Sequence, residues 1–446
     1  MEGKKNVTKK KVNDLKKGND SKKNTSNLKV KRDSKVKVEK SNIKSINTSS
    51  KKVKSLKNKK CYFNKIINRF FYILLGIILT CLIFYFLCGR RNYFKLYYEL
   101  RELINVYDIV TTDYYGELDN NELINSAIDS MLVDVGDSYT SYIDKGAADD
   151  FLENVNGTYE GIGCYIATDV DGNIIIIDVF EDSPSSKAGL KVNDILLKVN
   201  DEDFTDKTSL EISEYIKNSN ASEIVLAIKR GEELLDIEIK REKIDIPVVK
   251  GDVLEYADKK IGYISVDVFS SVSYKQIKNK LKKLEKDGID ALVVDVRGNS
   301  GGYLSAVTDI SSLFLKKGKV IYQLEGKNKK EKVKDSTKEY RDYPIAVLVN
   351  NGSASASEIF AAVIKESYGG YVVGTTTFGK GTVQKTKMLS DGGMIKYTVQ
   401  KWLTPKGNFI NEKGVEPTNF VELDYNLDHD NQLDEALKII TSVEKR

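Results

Sequence analysis

Histidine is almost missing from this chain of 446 residues: the single one, His429, lies in the polar stretch DYNLDHDNQ near the C-terminus. A serine–histidine–aspartate triad and the usual zinc hydrolase site both need imidazole in a cleft. Asp428 and Asp430 flank His429, which marks a solvated loop, so both chemistries are excluded as leading readings. Cysteine is scarce as well. Cys61, Cys81 and Cys88 sit in or beside a long apolar run, leaving Cys164 alone in the remainder. That remainder therefore has neither an intramolecular disulfide nor a thiolate metal cluster and must be held by its core. Aromatic residues are absent before Tyr62.

What replaces them at the N-terminus is charge. Residues 1–60 carry 22 Lys plus Arg against 5 Asp plus Glu, a net of +17; with the whole chain at +5, the rest is net −12. A lysine-, serine- and asparagine-rich tail of this kind buries too little apolar surface to offset its ordering entropy, and disorder is expected over 1–65. The next segment favours anionic lipid over nucleic acid as its neighbour. Residues 70–88, FFYILLGIILTCLIFYFLC, hold no charge over 19 positions. At about 1.5 Å per residue they span roughly 28 Å, close to the hydrocarbon thickness of a bilayer. A single transmembrane helix within 66–91 is predicted. The heavier basic charge on its N-terminal side predicts a cytoplasmic N-terminus and an extracytoplasmic body.

Residues 92–157 read as a helical N-terminal region, from YFKLYYELRELINVYDIVTTDYY and NNELINSAIDSMLVDV. Its role is open between a spacer and a dimerisation element. From about 158 to 244 the texture is β-rich: NIIIIDV, DILLKVN, EIVLAIKR and LLDIEIKR are short runs between Gly, Asn and Asp turns, with SLEISEYIKNS as a helix. Two glycines in GTYEGIGCYIA precede a strand, where free N–H groups can form an anion-binding nest. From 245 to 446 strands and helices alternate (IGYISVDVF, SYKQIKNKLKKLEKDG, ALVVDVRGNSGG, IAVLVN, SASEIFAAVIKES, YVVGTTT), which predicts an α/β core with a partly parallel sheet.

Without histidine, lysine is the available base, and it serves only when neutral, so burial must lower its pKa. Most of the 70 Lys plus Arg are plainly solvated. Lys380 is different: in FGKGTVQ it follows an apolar strand and is wrapped by Gly379 and Gly381. A nucleophile is sought in NNGSASASEIFAAVI, where a strand ends in a small-residue turn and a helix begins, offering N–H groups to an oxyanion. Ser353, Ser355 and Ser357 compete there, and each could be an ordinary N-cap. Glu358 is explained by the helix dipole alone, and Asp295 with Arg297 by a structural ion pair beside the glycine turn.

Two family resemblances rest on these segments. GTYEGIGCYIA together with SPSSKAGLKVNDILLKVN resembles a PDZ domain. That resemblance implies that Gly161, Ile162 and Gly163 hold a peptide carboxylate while the following strand pairs with the peptide. SASASEIFAA, VVGTTTFGKGTVQ and DVRGNSGG, with a final D-x-Q-L element at Asp430-Asn431-Gln432-Leu433, resemble the C-terminal processing peptidases, or tail-specific proteases, over about residues 95–435. The resemblance implies a ClpP/crotonase-like mixed α/β core and selects Ser355 as nucleophile, Lys380 as general base and Gln384 as the residue orienting the lysine. It implies an oxyanion hole from the N–H of Ala356 and that of Gly301 or Gly302, with Gly301 favoured. The expected activity is serine endoproteolysis near the C-termini of protein substrates, gated by the PDZ domain, with no metal or organic cofactor and no nucleic-acid partner, in a protein that could form homo-oligomers. Richness in Lys, Asn and Ile suggests an AT-rich bacterial source. The alternative is a non-catalytic cell-surface PDZ scaffold with a degenerate protease core.

Overall fold

The computed structural model describes residues 42–87, 93–204 and 206–443, and two compact units divide between Tyr115 and Gly116. The first unit holds the helices Asn42–Leu87 and Tyr93–Asp113. Its apolar part, Tyr62–Ile83, is the one span among the described residues long and apolar enough to cross a membrane. Over 42–65, where disorder was expected, the chain is helical. Residues 42–65 continue the apolar helix N-terminally, because adding a turn to an existing helix avoids the cost of nucleation and lysine is a good helix former. The tail before residue 42, and the end of the predicted span over 88–91, lie outside the described residues.

The expected helical region 92–157 also divides. A break at Gly116 is followed by a new start at Asp119, whose carboxylate accepts from the N–H groups of Asn121 and Glu122 to cap the helix Asn120–Val133. The short strand Ser141–Ile143 and the helix Lys145–Asn156 follow.

The β-rich insertion forms its own sheet, in the order Cys164–Thr168, Ile174–Val179, Ile195–Val199, Glu223–Arg230, Glu233–Lys240, around a core that includes Ile176, Ile212, Leu226 and Ile239. The first strand is an edge, with the helix Ser209–Asn218 beside it. That helix starts at Ser209, where Thr208 and Glu211 form a reciprocal capping box. The entering strand Thr158–Gly161 pairs with the leaving strand Glu242–Asp245, closing the neck of the insertion.

The core sheet has the order Val249–Tyr256, Lys259–Val266, Ala291–Asp295, Ile345–Val349, Tyr371–Gly374, Asn419–Phe420, all parallel after the antiparallel first pair. Its two central strands are buried on both faces, as parallel strands covered by helices must be. Leu292 and Val294 point to one layer, with Ile277 and Leu281 of the helix Ser273–Lys286 and the wholly buried helix Ala356–Val363. Ala291 and Val293 point to the other, against Ala436, Leu437 and Ile440 of the C-terminal helix Asn431–Thr441. A second sheet, which the alternation pattern did not disclose, joins Ser141–Ile143, Met394–Leu403, Val320–Gly326, Lys330–Lys334 and Thr382–Met388.

Candidate active site

The strand Ile345–Val349 delivers the chain to a turn from which the helix Ala356–Val363 departs, and Ser355 sits at the junction with φ 53° and ψ −109°. An L-residue reaches this region only at a cost of about 1–3 kcal/mol, so surrounding contacts must impose it. They can be named. Ser353 Oγ donates to Val296 O and accepts from Asn350 N–H, and Ser357 Oγ donates to Asn299 O. Both flanking hydroxyls are buried and engaged, whereas Ser355 pairs with Glu358 in a reciprocal capping box at the start of the helix. Ser355 N–H donates to Glu358 Oε2 at 2.8 Å.

Glu358 has no exposed surface, and its carboxylate does far more than complement a helix dipole. Oε1 accepts from Thr377 Oγ1 (2.6 Å) and Gly379 N–H (2.7 Å), while Oε2 accepts from Ser355 N–H and Lys380 N–H (both 2.8 Å). One side chain thus ties the serine turn to the lysine turn. The lysine turn is pinned elsewhere too. Trp402 Nε1 donates to Lys380 O, Trp402 N–H to Gly381 O, Asn411 Oδ1 accepts from Gly381 N–H, and Glu412 N–H donates to Gly379 O. Gly379, at φ 92°, has no room for a side chain: a Cβ there would lie 2.9 Å from Lys413 N. Burial, and secondarily the ammonium of Lys396, hold the Lys380 amine below the ordinary lysine range, against the opposing pull of Glu358 and Asp137. Among the described residues no hydrogen bond joins Lys380 Nζ to Ser355 Oγ.

Gln384 is brought to the same region, but its amide donates to Thr382 Oγ1 (2.9 Å) and Thr398 Oγ1 (3.0 Å), not toward Lys380. Ala356 N–H, at the free start of the helix, has no acceptor among the described residues. Gly301 lies directly against the serine: a Cβ on it would be 2.9 Å from Ser355 Cβ and 3.1 Å from Ala356 N. Its own N–H donates to Asn299 Oδ1, whereas the Gly302 N–H has no acceptor among the described residues. Asn299, which the sequence did not single out, is the keystone of this turn. Its amide donates to Val266 O, and its backbone oxygen receives Ala354 N–H as well as Ser357 Oγ. Arg297 clamps the strand end to the C-terminal helix, contacting Asp295 (2.6 Å), Asp430 (2.7 Å) and Gln432. His429 is an exposed ring between Asp428 and Asp434, and among the described residues no group of three His, Cys, Asp or Glu is placed to hold a metal ion.

In the inserted domain Gly161, Ile162 and Gly163 are buried at the start of the edge strand. Gly163, with φ 86°, closes against Ser183, whose hydroxyl donates to Gly163 O. The Gly163 N–H is already engaged by Tyr159 Oη at 3.2 Å.

Known proteins resemble this chain in sequence. Residues 260–421 match the model of peptidase family S41, residues 161–240 the PDZ domain and residues 90–147 the N-terminal domain of activating protease CtpB. The carboxy-terminal processing protease CtpB of Bacillus subtilis (strain 168) is 38% identical over 337 residues, covering 75% of this chain and 70% of that protein. The chain belongs to the PDZ-containing C-terminal processing proteases. A probable CtpA-like serine protease of Staphylococcus aureus (strain COL) is 36% identical over 323 residues, 72% of this chain but 64% of that protein, so the match spans just under two thirds of its length. Among solved structures, the photosystem II D1 C-terminal processing protease aligns with 78% of this chain and 91% of its own, at 22% identity and a TM-score of 0.45.

Proposed function

We propose that this C-terminal processing protease is a membrane-anchored serine endopeptidase that cleaves protein substrates near their C-termini. Ser355 is the nucleophile and Lys380 the base. The reading is carried by Glu358, whose Oε2 accepts from the backbone N–H of both Ser355 and Lys380 and so brings the two turns together. Neutral Lys380 takes the Ser355 proton as Oγ attacks the scissile carbonyl. The tetrahedral oxyanion is met by the N–H of Ala356 and of Gly301 or Gly302, of which Gly302 is the uncommitted donor. The leaving amine then receives the proton from Lys380, and water hydrolyses the acyl-enzyme by the same route reversed. Gln384 orients Lys380 after its amide turns away from Thr382 and Thr398. The chemistry requires no metal or organic cofactor.

The core sheet is read as the ClpP/crotonase type. The edge strand Cys164–Thr168 beside the helix Ser209–Asn218 supports a groove for an added peptide strand. Gly161, Ile162 and Gly163 take the terminal carboxylate once Tyr159 releases the Gly163 N–H, and groove occupancy gates the active site. Tyr62–Ile83 supports anchoring, with the basic N-terminus on the cytoplasmic side and the body outside. Association of copies through the N-terminal helices completes the reading. Ser355→Ala and Lys380→Ala should each abolish cleavage of an unfolded protein substrate without lowering the thermal midpoint; full activity in either variant would sink the assignment.

A further inference from the structure

The ammonium of Lys380 ends over the ring of Tyr139, 4.7 Å from its centroid. Tyr139 lies outside the stretch that matches the peptidase family and inside the one that matches the CtpB N-terminal domain. Its segment is nevertheless sewn to the strands around the lysine. Asp137 accepts from Thr140 Oγ1 (2.5 Å) and Tyr139 N–H (3.2 Å), and Thr140 Oγ1 accepts from Thr398 N–H. Ser141–Ile143 pairs with Met394–Lys396, on the strand that also pairs with Gln384. The ring therefore cannot drift independently of the lysine turn.

We propose that Tyr139 is a positioning residue for Lys380: its ring face is the seat on which the lysine side chain rests before taking the serine proton, so the N-terminal segment supplies one wall of the active site. The inference rests on the Ser355–Lys380 reading. An aromatic face attracts an ammonium and not a neutral amine, so the seat favours the protonated lysine. Asp137 and Glu358 act in the same direction, while burial and Lys396 act in the other. Glu412 and the two carboxylates also face the Tyr139 phenol, and with burial they keep it neutral. The hydroxyl is not needed for the seat; the ring is.

The test uses the full chain in detergent and a fluorophosphonate probe, whose rate of Ser355 acylation is followed from pH 6 to 10. Tyr139→Leu should move the midpoint down by about half to one and a half pH units and lower the plateau rate, whereas Tyr139→Phe should superpose on the wild type. Fluorinated phenylalanines at position 139 keep the shape and withdraw charge from the ring face, so the midpoint should fall with each added fluorine even if the leucine variant does not fold. A midpoint that ignores fluorination, or a Tyr139→Phe profile that matches Tyr139→Leu, overturns the seat. Ser355→Ala and Lys380→Ala are the controls. Labelling that survives them refutes the underlying dyad, while labelling that they abolish beside a flat fluorine series refutes the seat alone.

Discussion

The carboxylate of Glu358 offers the sharpest quantitative test of how the site is assembled. It is fully buried and accepts four hydrogen bonds, three of them from backbone N–H groups that cannot turn away. Glutamine at this position has one carbonyl and one NH2. The NH2 should face Thr377, because a hydroxyl can reverse its role and accept, whereas the N–H groups of Ser355 and Lys380 need the carbonyl oxygen. One donor, Gly379 N–H, then loses its acceptor. A buried donor left unsatisfied costs about 1–3 kcal/mol. Expressed wholly in the transition state, that is a loss of about 5- to 150-fold in kcat/KM; expressed wholly in the ground state, it lowers the thermal midpoint by several degrees. Alanine strands all three N–H groups, for about 3–9 kcal/mol, comparable to the whole stability of a domain. The assay pairs kcat/KM on an unfolded protein substrate with the thermal midpoint, for Glu358→Gln and Glu358→Ala. Wild-type activity and midpoint in Glu358→Gln would refute the account, as would an alanine variant no worse than glutamine.

Two further outcomes follow from the same geometry. Ser355→Gly removes both the nucleophile and the Cβ that makes φ 53° costly, so it should abolish cleavage while stabilising the fold by about 1 kcal/mol or more relative to Ser355→Ala; urea unfolding of the two inactive variants compares them directly, and equal midpoints would remove the claim of strain. For pH dependence, the active form of Lys380 is the amine, so kcat/KM should rise through a lysine pKa held below its ordinary value by burial and by Lys396. Lys396→Gln deletes the like charge and should move that limb up by as much as about one pH unit. A limb that stays put, or a wild-type profile flat from pH 5 to 9, contradicts a lysine base.

The parts of the fold that local pattern encodes were legible. Ile277, Leu281 and Leu284 mark a helix by spacing alone, and the continuous apolar runs at 291–294 and Ile345–Val349 announce strands covered on both faces. Legibility fell where an element owes its place to a distant partner. Thr382–Met388 and Met394–Leu403 mix lysine, threonine and glutamine and become a sheet only by pairing across the chain with Ser141–Ile143 and Val320–Gly326. The same holds at the site. Three serines in SASAS are equivalent as text and differ only because Val296 O and Asn299 O, some 57 residues earlier, receive the hydroxyls of Ser353 and Ser357. Glu358 reads as a dipole partner until its neighbours Thr377, Gly379 and Lys380 are brought across the sheet end. Tyr139 stands 241 positions before Lys380 in the chain. Spacing carries no trace of that contact. In this chain, then, the motifs supply the reacting groups, and the long-range hydrogen bonds of Asn299, Glu358 and Thr398 decide which of those groups can meet.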